Sequence, residues 1–493
     1  MAINKRRHIM FEQTYNRRSF FNSFGTGLGG AALLALCDSN AAQSRALGNE
    51  NEIASFADLQ ARASHFQPKA KCVIQLFMNG GPSQMDLFDP KPMLEKHHGE
   101  AYFGKIAGEV ENPQSAGALM RSPFRFAKRG NSGMWISDVM PHLAKQADSI
   151  AMIRSMYTTN LTHEPAVYFV QSGKTGPGRP ALGSWVVYGL GSESQNLPAY
   201  VVLDDPLGLP VNGTENWQSG FLSPMFQGTR LRSTGAPVLN LQADFDRPPR
   251  IPELQRELIA KLDRAHLQKH SNQPILAART ASYELAARMQ LAASDATDIS
   301  KETKETQELY GIGKEPTDSY GRRCLIARRM VERGVRFVQL YINQHIWDNH
   351  TELASGLKNC SDRTDQPFAA LLQDLKRTGL FESTLVVWGG EFGRLPIAQL
   401  PADKDERHAG RDHNKNAFTC LFAGAGIKAG TVHGATDELG FTATEDRVSV
   451  HDWHATILHL LGIDHERLFV MESGLREKLT GVEKANVVQG ILE

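Results

Sequence analysis

The sequence predicts an α/β fold, a doubly wound, largely parallel sheet with helices on both faces. Three observations carry that expectation. Short runs rich in Val, Ile, Leu and aromatics, bounded by Gly and polar residues, recur at 72–78, 197–203, 335–341, 385–388 and 417–422, which is the pattern of buried strands. In the last third these runs alternate with helical patterns at 366–378 and 452–461, as successive strand–helix–strand units do. Ligand-type side chains follow several of the strand ends, where open α/β sheets place their chemistry.

Along the chain, the first element is a leader. Asn16-Arg17-Arg18-Ser19-Phe20-Phe21 precedes an apolar, Gly/Ala/Leu-rich run at 24–36, and 1–42 reads as a twin-arginine export signal. The run is shorter than the roughly 20 residues needed to cross a bilayer, so no permanent membrane span is expected. Export makes the protein periplasmic or secreted, with the twin-arginine translocase as a transient partner. The competing reading of this stretch is a basic, irregular start ahead of an amphipathic helix.

A polar, Ala-rich lead-in at 43–69 follows, then one large domain from 70 to 493. Its first strand, 72–78, runs into Asn79-Gly80-Gly81-Pro82-Ser83, a turn that lets backbone approach a ligand. A region of helix and loop leads to a short strand at 150–153, a polar loop at 158–165, and a helix at 166–171 closed by Ser172-Gly173. After the strand at 197–203, the Pro/Gly-rich stretch 204–249 reads as irregular surface chain. A mainly helical insertion occupies 252–330, with a polar connection at 295–316.

Composition narrows the function. The chain has 493 residues, 41% of them hydrophobic, and Lys+Arg balance Asp+Glu at 54 each. That suits a large globular core and gives no global field to recruit nucleic acid, so no nucleic-acid partner is expected. The five cysteines show no C-x-x-C spacing, which argues against a thiolate metal site or a disulfide framework.

The candidate chemistry lies after the later strands. Asp348 and His350, spaced Asp-x-His, point to one side of an extended segment and are the first metal candidates. His413 and Asp412 form a second Asp-His pair, with Asp412 either a co-ligand or the carboxylate that orients an imidazole. Glu391 follows a buried strand and two glycines, a costly place for a carboxylate unless it is paired, and is a further metal candidate; an ion pair with Arg394 is the bland alternative. Such oxygen and imidazole donors suit a divalent cation such as zinc or manganese. His163, at the entry to the 166–171 helix, could be a nucleophile, a ligand or a helix-start hydrogen bonder. His454 and His459 read as packed or solvent-facing.

Asn79-Gly80-Gly81-Pro82-Ser83-Gln84-Met85-Asp86, Gly178-Arg179-Pro180, Trp347-Asp348-Asn349-His350, Gly389-Gly390-Glu391-Phe392-Gly393-Arg394 and Gly410-Arg411-Asp412-His413 together resemble the alkaline phosphatase and sulfatase superfamily. More narrowly, they resemble its exported branch known as domain of unknown function 1501. The resemblance covers nearly the whole chain and implies an alkaline-phosphatase-like fold. It also implies a metal-dependent hydrolase of phosphate or sulfate esters, acting on a small-molecule or glycan ester with zinc, calcium or manganese. Asn79 stands where that superfamily has the Asp of its first strand, and Glu391-Phe392 replaces an Asp-His pair, which implies one metal rather than two. The nucleophile's place falls on His163, with Thr162 beside it. Arg179 or Arg411 would neutralise the anion. Two other readings compete: a catalytically silent, sulfatase-like binding or scaffold protein of the periplasm, and a serine hydrolase using Ser83, which lacks the second glycine of a Gly-x-Ser-x-Gly elbow.

Overall fold

Strand β1 (Cys72–Phe77) alternates its side chains between two apolar clusters. Cys72, Ile74 and Leu76 enter one, Val73 and Phe77 the other, as the two-residue period of a central strand requires. The computed structural model describes residues 59–238, 250–270, 274–342 and 345–493. The export signal expected at 1–42 lies outside the described residues, as do 43–58 of the lead-in and 239–249 of the irregular stretch.

After β1 the main elements are β2 (Ile150–Tyr157), α1 (His163–Ser172), α2 (Leu182–Leu190), β3 (Tyr200–Leu203), α3 (Arg250–Lys269), α4 (Pro274–Thr297) and α5 (Asp318–Glu332). Then come β4 (Phe337–Tyr341), α6 (Leu353–Arg377), β5 (Thr384–Gly389), β6 (Phe418–Gly424) and α7 (Val450–Leu460). The main sheet is nine-stranded, in the order Val432–His433, β2, β6, β5, β1, β4, β3, Thr229–Arg230, with Val448–Ser449 also on β2. β1 pairs in parallel with β4 and β5, and β3 in parallel with β4. β6 alone among the named strands is reversed, antiparallel to both β2 and β5. The sheet is therefore mixed and mostly parallel, close to the expected one.

Helices cover both faces. Met289 of α4, Leu325 of α5 and Leu357 of α6 join Ile74 and Leu76. Val167 of α1, Trp185 of α2 and Ile457 of α7 join Val73 and Phe77. A satellite core of Met85, Leu94, Ile106, Val110, Leu119, Leu395 and Ile397 lies apart from both. It is fastened by antiparallel pairing of Ala116–Leu119 with Ile397–Gln399.

Two helices depart from the expected bounds. α6 starts 13 residues before the expected 366 and passes through Pro367. A proline there costs about 3 kcal/mol or more. Leu353, Leu357, Phe368, Leu371, Leu372 and Leu375 are all buried, and at about 1.5–3 kcal/mol each they outweigh that cost. α1 begins at His163 rather than 166, which puts that histidine in its first turn. Among the described residues no helix is long and apolar enough to cross a membrane.

Candidate metal centre

The parallel strands β1, β2, β4 and β5 end on one edge of the sheet, and β6, being reversed, begins there. The loops 79–83, 158–162, 345–350 and 390–392, together with the paired strands Gly393–Arg394 and His413–Asn414, therefore meet at that edge. Close approach depends on glycine. Gly80 has φ +108°, and a Cβ on it would sit 2.5 Å from the Asp348 backbone nitrogen.

Asp348 is the centre of the group. His350 Nε2 lies 2.9 Å and His413 Nε2 3.2 Å from its Oδ1, and His163 Nε2 lies 3.2 Å from its Oδ2. Each of these three rings is held through its other nitrogen. His163 Nδ1 is 2.7 Å from Glu391 Oε1, His350 Nδ1 bonds Gln399 Oε1, and His413 Nδ1 is 2.6 Å from the Leu161 carbonyl oxygen. With each Nδ1 fixed on an oxygen, Nε2 is in each ring the nitrogen turned to the same point, able to offer a lone pair to a cation once it is unprotonated. The donor atoms of His163, Asp348, His350 and His413 all lie within 4.8 Å of one another.

Charge is balanced from below. Arg394, almost fully buried, places Nη2 2.5 Å from Asp348 Oδ1 and donates Nε to Gly81 O at 2.9 Å and Nη1 to Arg411 O at 2.9 Å. Arg394 thus pairs with Asp348, so the alternative reading of Glu391 as the partner of Arg394 does not hold. Glu391 is fully buried and accepts from Gly80 N at 2.9 Å and from His163. Burial pushes the Asp348 carboxyl up, but Arg394 and the three imidazoles outweigh it and hold it far below the usual carboxylate range. Burial pulls the His163 imidazole down, and Asp348 and Glu391 outweigh that, holding it up at about 9.

The donor set fits a divalent cation. Three imidazole nitrogens and one carboxylate make a four-ligand group of the kind zinc accepts. Among the described residues the buried His163 Nε2 faces only the Asp348 carboxylate, at 3.2 Å and without hydrogen-bond geometry, an arrangement that a cation between the two would satisfy.

Other expected residues stand elsewhere. Asn79 donates Nδ2 to the Ile342 carbonyl at 2.7 Å and ties β1 to β4. Asp412 accepts from Asn112 N and His413 N, and with Glu111 and His413 it forms a second group whose ligand atoms lie within 4.8 Å of one another. Ser83 is buried and bonded to Asp86, whose carboxylate also takes Arg411 Nε at 2.7 Å. Arg411, fully buried, further donates to Met120 O at 2.9 Å and Leu395 O at 3.2 Å, so its guanidinium binds a loop together rather than facing the cluster. Arg179 pairs with Glu477 at 2.6 Å and lies over the Phe221 ring. Thr162 is the exposed N-cap residue of α1 and makes no side-chain capping bond. His454, fully buried, bonds the Val170 carbonyl at 2.7 Å and is remote from this group.

Three residues at the site were not singled out from sequence: Gln399, Glu111 and His345. Glu111 Oε2 is 2.6 Å from His413 Nδ1, and His345 stacks on His163 with centroids 4.3 Å apart. Neither Glu111 nor Gln399 lies in a motif; the pairing of Ala116–Leu119 with Ile397–Gln399, the bridge from Gln399 to Gly410 and the bond from Asn112 N to Asp412 bring their segments to the site.

The family described as "Protein of unknown function (DUF1501)" matches residues 70–492. No curated protein matches the chain. Among solved structures, the lipoteichoic acid synthase LtaP from Listeria monocytogenes is similar at 10% identity and TM-score 0.37, over 84% of this chain and 78% of that one. The PsFucS1 sulfatase from Pseudoalteromonas sp. is similar at 12% identity and TM-score 0.35, over 80% and 68%. An alkaline phosphatase from the Antarctic bacterium TAB5 is similar at 12% identity and TM-score 0.29, over 80% and 98%.

Proposed function

The chain belongs to the DUF1501 family, and from that premise we propose that it is an exported, metal-dependent hydrolase of phosphate or sulfate esters. One observation carries the reading: three imidazole Nε2 atoms converge on Asp348 while every Nδ1 is fixed on an oxygen. Surface histidines gathered by chance have no reason to share one tautomer and one direction.

His163, Asp348, His350 and His413 would hold the cation. When bound, a divalent cation that accepts a further ligand beside these four would supply Lewis acidity at that open position, polarising an ester oxygen and making water acidic enough to react near neutral pH. Glu391 keeps the proton of His163 on Nδ1, so Nε2 stays a donor. Arg394 holds the Asp348 carboxylate and the Gly80–Gly81 turn in one place. Phe392, 4.4 Å from the His413 ring and 4.9 Å from His163, forms an apolar wall that limits water. Ser83 is locked on Asp86, and His163 fills the position where a hydroxyl nucleophile was expected. The attacking group in this proposal is therefore water, not a side chain. Arg17 and Arg18 support export by the twin-arginine translocase.

Metal content decides the matter. The protein purified without added metal is expected to carry about one equivalent of a divalent cation, lost in an Asp348→Ala/His350→Ala double variant. Hydrolysis of 4-nitrophenyl phosphate or sulfate should disappear with it. A metal-free protein that takes up none on supplementation would instead favour a binding or scaffold role.

A further inference from the structure

The proposed centre is held from two sides, and only one of them is the main sheet. Glu391, just beyond β5, orients His163. The layer built on the satellite core orients His350 and adds a carboxylate beside His413, whose direction the Leu161 carbonyl also sets. Gln399, which orients His350, lies on the strand paired with Ala116–Leu119. The neighbouring segment 109–112 grips the chain around His413. Glu111 Oε2 is 2.6 Å from His413 Nδ1, and Asn112 N donates to Asp412 Oδ2 at 2.9 Å. Glu109 takes Lys415 Nζ at 3.0 Å and Asn416 Nδ2 at 3.1 Å. Beneath this segment, Ile106, Val110 and Leu119 pack with Leu395 and Ile397.

Building on the metal reading above, we infer that Glu111 is a positioning residue of the metal centre, and that the satellite layer is a clamp whose order is coupled to metal occupancy. A carboxylate on the distal nitrogen of a ligating histidine makes the ring a stronger donor as well as fixing its direction. Direction is already set at His413 by the Leu161 carbonyl, also at 2.6 Å. What Glu111 adds is negative charge beside the ring, so it tunes affinity rather than building the site. Coupling runs both ways: whatever the clamp does for the cation, the cation does for the clamp. Glu111 is also placed to act, since about a third of its side chain is exposed while its carboxylate reaches the ring.

The test uses full-length protein and zinc. Competition titration against a chelating dye gives the zinc affinity of the unaltered protein, Glu111→Ala and Glu111→Gln, with the metal-free unfolding temperature of each as a check on folding. Glu111→Ala should bind about 10–100-fold more weakly, and Glu111→Gln, which keeps an acceptor oxygen without the charge, should fall between. In the unaltered protein, zinc should slow amide exchange across 103–119 and do so less in Glu111→Ala. Equal affinities together with unchanged exchange overturn the clamp while leaving the metal centre standing. Failure of the unaltered protein to bind zinc overturns both.

Discussion

His163 has two acidic neighbours and one proton to share with any cation. With its imidazolium held up to about 9 by Asp348 and Glu391 against the pull of burial, the metal-free protein keeps this ring charged at neutral pH. A cation must expel that proton. Zinc affinity should therefore rise with pH, by about tenfold per unit where one proton is displaced, and level off above about 9. Titration calorimetry in buffers of different ionisation enthalpy reads the released proton directly, and His163→Gln should abolish the release. An affinity flat from pH 6 to 9 would show that His163 does not ligate. At this scale the sequence pointed to the side chains that gather at the site and said less about what orients them. Asp348 and His350 announce themselves by alternate spacing, and His413 by its Asp-His pair. Glu391 carries the same carboxylate whether it ligates or orients, so its place on His163 emerges only in three dimensions. Arg411 is a cation in the sequence and a buried strut in the fold, because Asp86 lies beneath it.

At the level of elements, α1 matters most, since its first turn carries His163 and its last turn is pinned from α7. The pin is His454, whose ring bonds the Val170 carbonyl. Burial, reinforced by His451 and opposed by that carbonyl, pushes its pKa down to about 3. Because the folded value lies below the unfolded one near 6.5, the associated stability is whole above pH 6.5 and is lost as pH falls toward 3. Acid unfolding followed by circular dichroism should thus begin below pH 6.5. His454→Gln, which cannot charge, should shift the acid midpoint downward by about half a unit or more. An unmoved midpoint would assign acid lability to other groups. The strands were legible because apolar runs between glycines leave few alternatives. α6 was read short because Pro367 marks a break locally, while the buried leucines on both sides that override it are a property of the tertiary fold. α2, entirely apolar on most faces, lacks the periodicity by which a helix at the surface declares itself.

Over the whole molecule, ligand binding and folding are one equilibrium. Zinc at about 100 times its dissociation constant should add about 2.7 kcal/mol, raising the unfolding temperature by a few degrees, and excess chelator should reverse it. The same gain in the Asp348→Ala/His350→Ala variant would place the stabilising metal elsewhere. The general architecture, helices over both faces of a mostly parallel sheet, follows from strand–helix alternation. The reversal of β6 does not, because direction is set by connections that composition does not record.

That reversal brings His413 to the same edge as His163 although about 250 residues separate them in the chain. On a ribosome adding ~5–20 residues each second, the last donor emerges roughly ten to fifty seconds after the first. Throughout that interval the nascent chain offers only an incomplete and more promiscuous set of donors. If the centre binds metal as proposed, the cation present when β6 closes the sheet is the first to meet the complete set of donors, so expression conditions as well as affinity bear on what the purified protein contains.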